Sequence, residues 1–127
     1  MTGDEIILTI PREEPFHEVA HLVLGGVAAR LNLTFESLDD LETALDAVLE
    51  RSMTDGEVTV RLRIEDSSIH AVVGPFAVDR LRPELEGDPG AAVTLRRILD
   101  TVVDGYELDG DGWIELSKQV DEQKSES

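Results

Sequence analysis

The sequence predicts an α+β fold, a two-layer sandwich with three helices on one face of a mixed, mostly antiparallel sheet. Three observations carry this. Between Ser37 and Met53 the apolar residues Leu38, Leu41, Ala44, Leu45, Val48 and Leu49 recur at three- and four-residue steps, the stripe of an amphipathic helix. From Val58 to Ile64 the pattern changes to strict alternation, the mark of a strand with one buried face. The element order reads β-α-α-β-β-α-β-β, which favours helices gathered on one side of an antiparallel sheet.

In chain order, Ile6-Ile7-Leu8-Thr9-Ile10 is a β-rich run stopped by Pro11. A helix is expected from Phe16 to Leu31, with Val19, Ala20, Leu22, Val23, Val27, Ala28 and Leu31 on a wide apolar face. Gly25-Gly26 in its middle weakens it by roughly 1 kcal/mol per glycine against alanine, and such pairs usually mark a close approach to another element. After a break at Asn32 and Thr34, the central helix opens with Ser37 as N-cap and Asp40 three residues on. Asp39, Asp40 and Glu42 suit its positive N-terminal end, and Met53 to Gly56 closes it.

The strand over 58–64 turns at Glu65 to Ser68 and returns as Ile69 to Val73. Residues 74 to 90, with three prolines and three glycines, read as an irregular connection with at most a helical turn around Val78 to Leu81. Ala91 to Val103 resumes helical spacing. Tyr106 to Leu108 and Trp113 to Val120 are two more strands around an Asp109-Gly110-Asp111-Gly112 turn. One domain over 1–120 and a disordered acidic tail over 121–127 are expected.

Composition narrows the function. The chain has no cysteine, which excludes disulfides and thiolate metal sites. Eleven basic against 28 acidic residues give a net charge of −17, which disfavours nucleic acid and anionic membrane surfaces as partners. No apolar run reaches a membrane span and the N-terminus is acidic, so a cytoplasmic location is expected.

Three local patterns could carry chemistry. His17-Glu18-Val19-Ala20-His21 matches H-E-x-x-H, in which two histidines on one helix face hold zinc and the glutamate activates water. It needs a third ligand, with Glu36 and Glu42 the nearby carboxylates, and a preceding sheet. The preferred reading has His17 as an exposed first-turn residue and His21 at the edge of the core, with no metal. Glu107 to Ile114 copies the start of an EF-hand loop, but Lys118 stands at the twelfth position and the flanks are strands, so a hairpin turn is expected. Gly74 and Gly90 could be remnants of a phosphate-cradling loop, since Gly90 precedes a helix. Arg61, Arg63, Arg96 and Arg97 are scattered and read as solvated or salt-bridged.

Taken together, the element order and several stretches resemble the anti-sigma-factor serine kinases of the RsbW and SpoIIAB type, within the GHKL (histidine-kinase-like) ATPase superfamily. Residues 22–31, LVLGGVAARL, resemble that family's first long helix and residues 38–45, LDDLETAL, the start of its second. Gly90 to Leu116 resembles its last glycine-box helix and closing hairpin. The resemblance implies a magnesium–ATP site in which the second helix supplies a Glu and, four residues later, an Asn. Those places fall at Ala47 and Arg51, and a shift of one residue would offer Asp46 and Glu50. The adenine-reading Asp is replaced by the run Val72-Val73-Gly74-Pro75-Phe76.

The sequence-based expectation is therefore a degenerate, non-enzymatic domain: a pseudo-ATPase without cofactor that regulates by binding a protein. The resemblance implies a sigma factor or a STAS-domain antagonist as partner, and homodimerisation. It points to the first helix, with Phe16, Val19, Leu22, Val23, Leu24 and Val27, as the partner-binding segment. A nucleotide-binding serine/threonine kinase and a small zinc hydrolase are the competing readings.

Overall fold

The structure, a computed structural model, describes residues 5–31, 33–51, 56–65, 68–86 and 94–119. Strand β1 spans Glu5–Pro11, followed by a short 3-10 turn at Glu14–Phe16 and helix α1, His17–Leu31. Helix α2 spans Phe35–Leu49, and β2 (Glu57–Glu65) and β3 (Ser68–Gly74) form a hairpin. Helices α3 (Val78–Glu86) and α4 (Leu95–Val102) precede the closing hairpin of β4 (Gly105–Leu108) and β5 (Ile114–Gln119). The α+β two-layer class is as expected.

Three details differ from the sequence reading. The sheet, in order β1-β2-β3-β5-β4, is antiparallel at every described pairing rather than mixed. A fourth helix, α3, stands where an irregular connection was expected; Pro83 lies inside it. Its register is carried by Val78, Leu81 and Leu85 at helical steps, and Leu81 is buried. The N-cap of α2 is Thr34 and not Ser37. Thr34 has extended backbone angles, and its hydroxyl accepts the Ser37 N–H at 3.1 Å.

The period-2 pattern positions the core. Leu8, Val60, Val73, Ile114 and Leu108 align across all five strands, as do Ile6, Leu62, Ala71, Leu116 and Tyr106. These rows pack under Leu24, Val27, Leu41, Leu45, Val48, Leu95 and Leu99 of the helices in a single cluster. The opposite sheet face is polar and carries the ion pairs Arg61–Glu5, Arg63–Glu65 and Arg63–Glu115. Pro11 is part of β1 rather than its stop, which is tolerated because β1 is an edge strand.

Gly74 and Gly112 are fixed by a close approach. The Phe76 N–H donates to the Gly112 carbonyl at 2.7 Å, and a Cβ on Gly74 would lie 2.9 Å from Gly112 O. Gly112 itself has φ +93°, where side chains are rarely accommodated. The Gly74–Pro75 bond is cis. The Pro75 carbonyl accepts Arg12 Nη2 at 2.5 Å, and the Arg12 guanidinium lies 5.7 Å from the Phe76 ring centre. Burial lowers the Arg12 pKa from its ordinary value. Gly25 and Gly26 behave otherwise than expected: a Cβ on either would meet nothing within 4 Å.

Candidate functional site

Helix α2 presents two faces that matter here. Leu41, Ala44, Leu45, Val48 and Leu49 point into the core. Glu42 and Asp46, one turn apart, point to α1 and meet His21 there. Asp46 Oδ1 is 2.5 Å from His21 Nε2, and Glu42 Oε2 is 3.6 Å from His21 Nδ1, so both ring nitrogens face carboxylates. Just past its C-terminal end, after the C-cap Glu50, stands Arg51.

Arg51 Nη1 donates to the Ala47 carbonyl at 2.9 Å, folding the guanidinium back along the helix. Its Nε lies 3.4 Å from Glu84 Oε2, close enough for charge attraction but without hydrogen-bond geometry. The other oxygen of Glu84 accepts the Leu95 N–H, the first amide of α4, at 2.9 Å. One carboxylate thus ties the end of α2 to α3 and to the start of α4, where a negative charge is also favoured by the helix dipole. Thr94 completes that end by accepting the Arg97 N–H at 3.3 Å.

The sequence-predicted residues fall as follows. Ala47 is buried, 4% exposed, at the position facing Arg51. Asp46 and Glu50 are not interchangeable with Ala47 and Arg51: Asp46 is engaged with His21, and Glu50 is exposed beside Arg51 at 3.7 Å. A magnesium ion needs oxygen ligands. Ala47 and Arg51 offer a methyl group and a cation, so these two positions do not fit one, and no step through a bound nucleotide is assigned to them. Gly74 serves the packing described above, while Gly90 lies outside the described residues, as do Met53 and the tail beyond Gln119.

On α1, Leu24 and Val27 are core residues, Val19 and Val23 are half-buried and Leu22 is exposed, while Phe16, in the preceding 3-10 turn, is exposed. The expected partner-binding segment therefore offers only part of its apolar side chains to solvent, because α1 lies with one stripe on the sheet. His17 and His21 do not converge on a common point. His17 Nε2 meets the Arg12 carbonyl at 3.2 Å, and His21 meets Asp46. Glu18 is exposed. Among the described residues no group of three or more histidines, aspartates or glutamates is arranged to hold a metal. Asp109 Oδ1 accepts the N–H groups of Asp111 and Trp113, closing the β4–β5 hairpin, and Lys118 pairs with Asp40 of α2 at 3.0 Å.

Glu84 was not singled out by sequence. The spacing of Val78, Leu81 and Leu85 could have found its helix, but no local signal places its carboxylate against Arg51.

No protein-family model matches the chain. Among curated proteins, it is 24% identical over 144 residues to the serine-protein kinase RsbW of Listeria monocytogenes serovar 1/2a, covering 97% of this chain and 92% of that protein. It is 27% identical over 77 residues to RsbW of Listeria innocua, covering 55% of this chain and 49% of the relative. RsbW of Bacillus velezensis matches at 27% over 77 residues, covering 48% of its length. In these shorter matches the chain spans about half the length of the relatives. The repeated matches support the resemblance to an RsbW-like anti-sigma-factor kinase, and the two-layer α+β fold agrees with a GHKL-like architecture.

The same matches overturn the expectation of a non-enzymatic chain. A relative matched over 97% of the sequence, and others matched over 55%, bear the name serine-protein kinase, which points to an enzyme. The substitutions at Ala47, Arg51 and the Val72–Phe76 run are too narrow a basis against this. The charge of a site is set by all the elements that converge on it, and α3 brings Glu84 beside Arg51.

Proposed function

We propose that this chain is an anti-sigma-factor-type regulator of the RsbW kinase kind, acting on a protein partner. The observation that carries the reading is the match to a serine-protein kinase RsbW over 97% of the chain, together with an α+β sandwich in which α1 and α2 are consecutive. The strongly acidic surface favours a basic partner over nucleic acid or anionic lipid. By the same resemblance the partner is a sigma factor or a STAS-domain antagonist, and the chain works in the cytoplasm as one domain over 1–120. Among the described residues no helix is long and apolar enough to cross a membrane.

The test combines the purified chain with sigma factors and STAS-domain proteins encoded beside it, with and without ATP and magnesium. Binding is read by calorimetry and phosphoserine by mass spectrometry. A partner bound tightly, with phosphoserine formed only with ATP, is expected. Neither complex nor phosphoserine with any of them would overturn the reading.

A further inference from the structure

A cavity of about 230 Å³ opens at one corner of the sandwich, beside the C-terminal end of α1, and is lined by Glu5, Ile6, Val27, Arg30, Leu31 and Ile64. Its position follows from where the elements stop. Helix α1 ends at Leu31, and β1 begins at Glu5 opposite Arg63 of β2, so the inward-facing Ile64 of β2 lies at the rim of the helix layer. Its neighbour on β3, Ile69, is fully buried, whereas Ile64, Ile6 and Leu31 are only half-buried. Val27 is a core residue, so the cavity reaches the core there.

The walls select the body of a ligand. Ile6, Val27, Leu31 and Ile64 are all aliphatic, and no aromatic side chain lines the space. Sites for drug-sized ligands occupy roughly 300–1,000 Å³. This one is smaller and suits a slender aliphatic chain rather than a ring system. Such a chain would remove from water its own surface and that of three half-buried side chains.

The charges select the head group. Glu5 and Arg30 are exposed, so both stand on the solvent side of the cavity. The Glu5 carboxylate pairs with Arg61 at 3.8 Å on the open face of the sheet, turned away from the helix layer. Arg30, the basic residue in the last turn of α1, therefore supplies the charge at the mouth. It has an interaction of its own within the chain. A guanidinium nevertheless carries five donors in a planar fork, enough to hold a carboxylate as well. The net charge of −17 repels anions at long range, but physiological salt screens that repulsion beyond about 8 Å. The local cation then decides.

We propose that this cavity binds an aliphatic monocarboxylate, its chain on Ile6, Val27, Leu31 and Ile64 and its carboxylate on Arg30. The site shares no residue with the Arg51–Glu84 contact, and the proposal goes beyond the kinase-type reading without resting on it.

The test uses octanoate as probe, with 1-octanol and octylamine as the neutral and cationic controls. Methyl NMR of the full chain, labelled at isoleucine, leucine and valine, follows each titration at near-physiological salt and without nucleotide. The variants are Ile6→Trp and Ile64→Trp, which fill the cavity, and Arg30→Gln, which removes the charge. Circular dichroism establishes which of them are folded. Octanoate is expected to shift the methyls of Ile6, Val27, Leu31 and Ile64 together and saturably. Both controls should bind at least about ten-fold more weakly, and Arg30→Gln should weaken octanoate about ten-fold while leaving 1-octanol unchanged. Either cavity-filling variant, if folded, should abolish the shifts; Arg30→Gln, at an exposed position, keeps the test decisive if neither folds. No saturable shift, shifts centred on methyls elsewhere, a control that binds as tightly as octanoate, or octanoate binding unchanged by Arg30→Gln overturns the proposal. Because the titration involves neither ATP nor a protein partner, its failure leaves the phosphoserine test of the kinase-type reading to stand or fall by itself.

Discussion

The carboxylate of Glu84 lies 3.4 Å from Arg51 Nε and with its second oxygen accepts the first amide of α4. The end of α2, helix α3 and the start of α4 therefore meet at one side chain. Replacing Glu84 by Gln keeps an acceptor for Leu95 but removes the charge, and should cost roughly 0.5–1 kcal/mol. Glu84→Ala also leaves the amide without its acceptor and should cost about 1–2 kcal/mol. Urea unfolding of the two variants distinguishes them; identical midpoints for both and the wild type would remove the contact from the account.

Leu45 is 3% exposed in the stripe of α2 that faces the sheet. Truncation to alanine leaves a cavity in a packed core and should destabilise by roughly 2–5 kcal/mol. A melting temperature unchanged within error would mean that α2 presents another face.

Gly25 and Gly26 lie in mid-helix with open space around them. Alanine at either should raise stability by up to about 1 kcal/mol, since helix propensity improves and nothing is displaced. Thermal unfolding checks this, and a loss of stability would reveal a neighbour at that face.

Tyr106 is the single tyrosine of the chain, so its titration can be followed without overlap. Burial raises its pKa, and the hydrogen bond from its hydroxyl to Asp100 Oδ1 at 2.7 Å adds to the rise. The phenol absorbance should therefore titrate above the ordinary value of about 10, and Asp100→Asn should lower the midpoint. The stability linked to this group is fully present below the unfolded-state pKa and is lost as pH rises through the folded one. A midpoint equal to that of the unfolded chain would contradict both the burial and the bond.

The sequence by itself determined the class of the fold and the elements with strong period. The alternation of Val58, Val60 and Leu62 and the stripe from Leu41 to Leu49 each bury a face wherever they sit, because apolar area must leave water whatever the topology. The resemblance to the RsbW kinases was legible in the same way, through element order. Tertiary structure decided what depends on contacts across long separations. His17 and His21 share a helix face by spacing, yet one turns to a backbone carbonyl and the other to Asp46, because packing of neighbouring elements sets each ring's partner. Arg51 and Glu84 are 33 positions apart, and only the folding of α3 over the end of α2 joins them. Phe35 could have been a core residue by type alone. The packing of α1 and α2 instead leaves it 84% exposed, along a groove that Gly25 also lines.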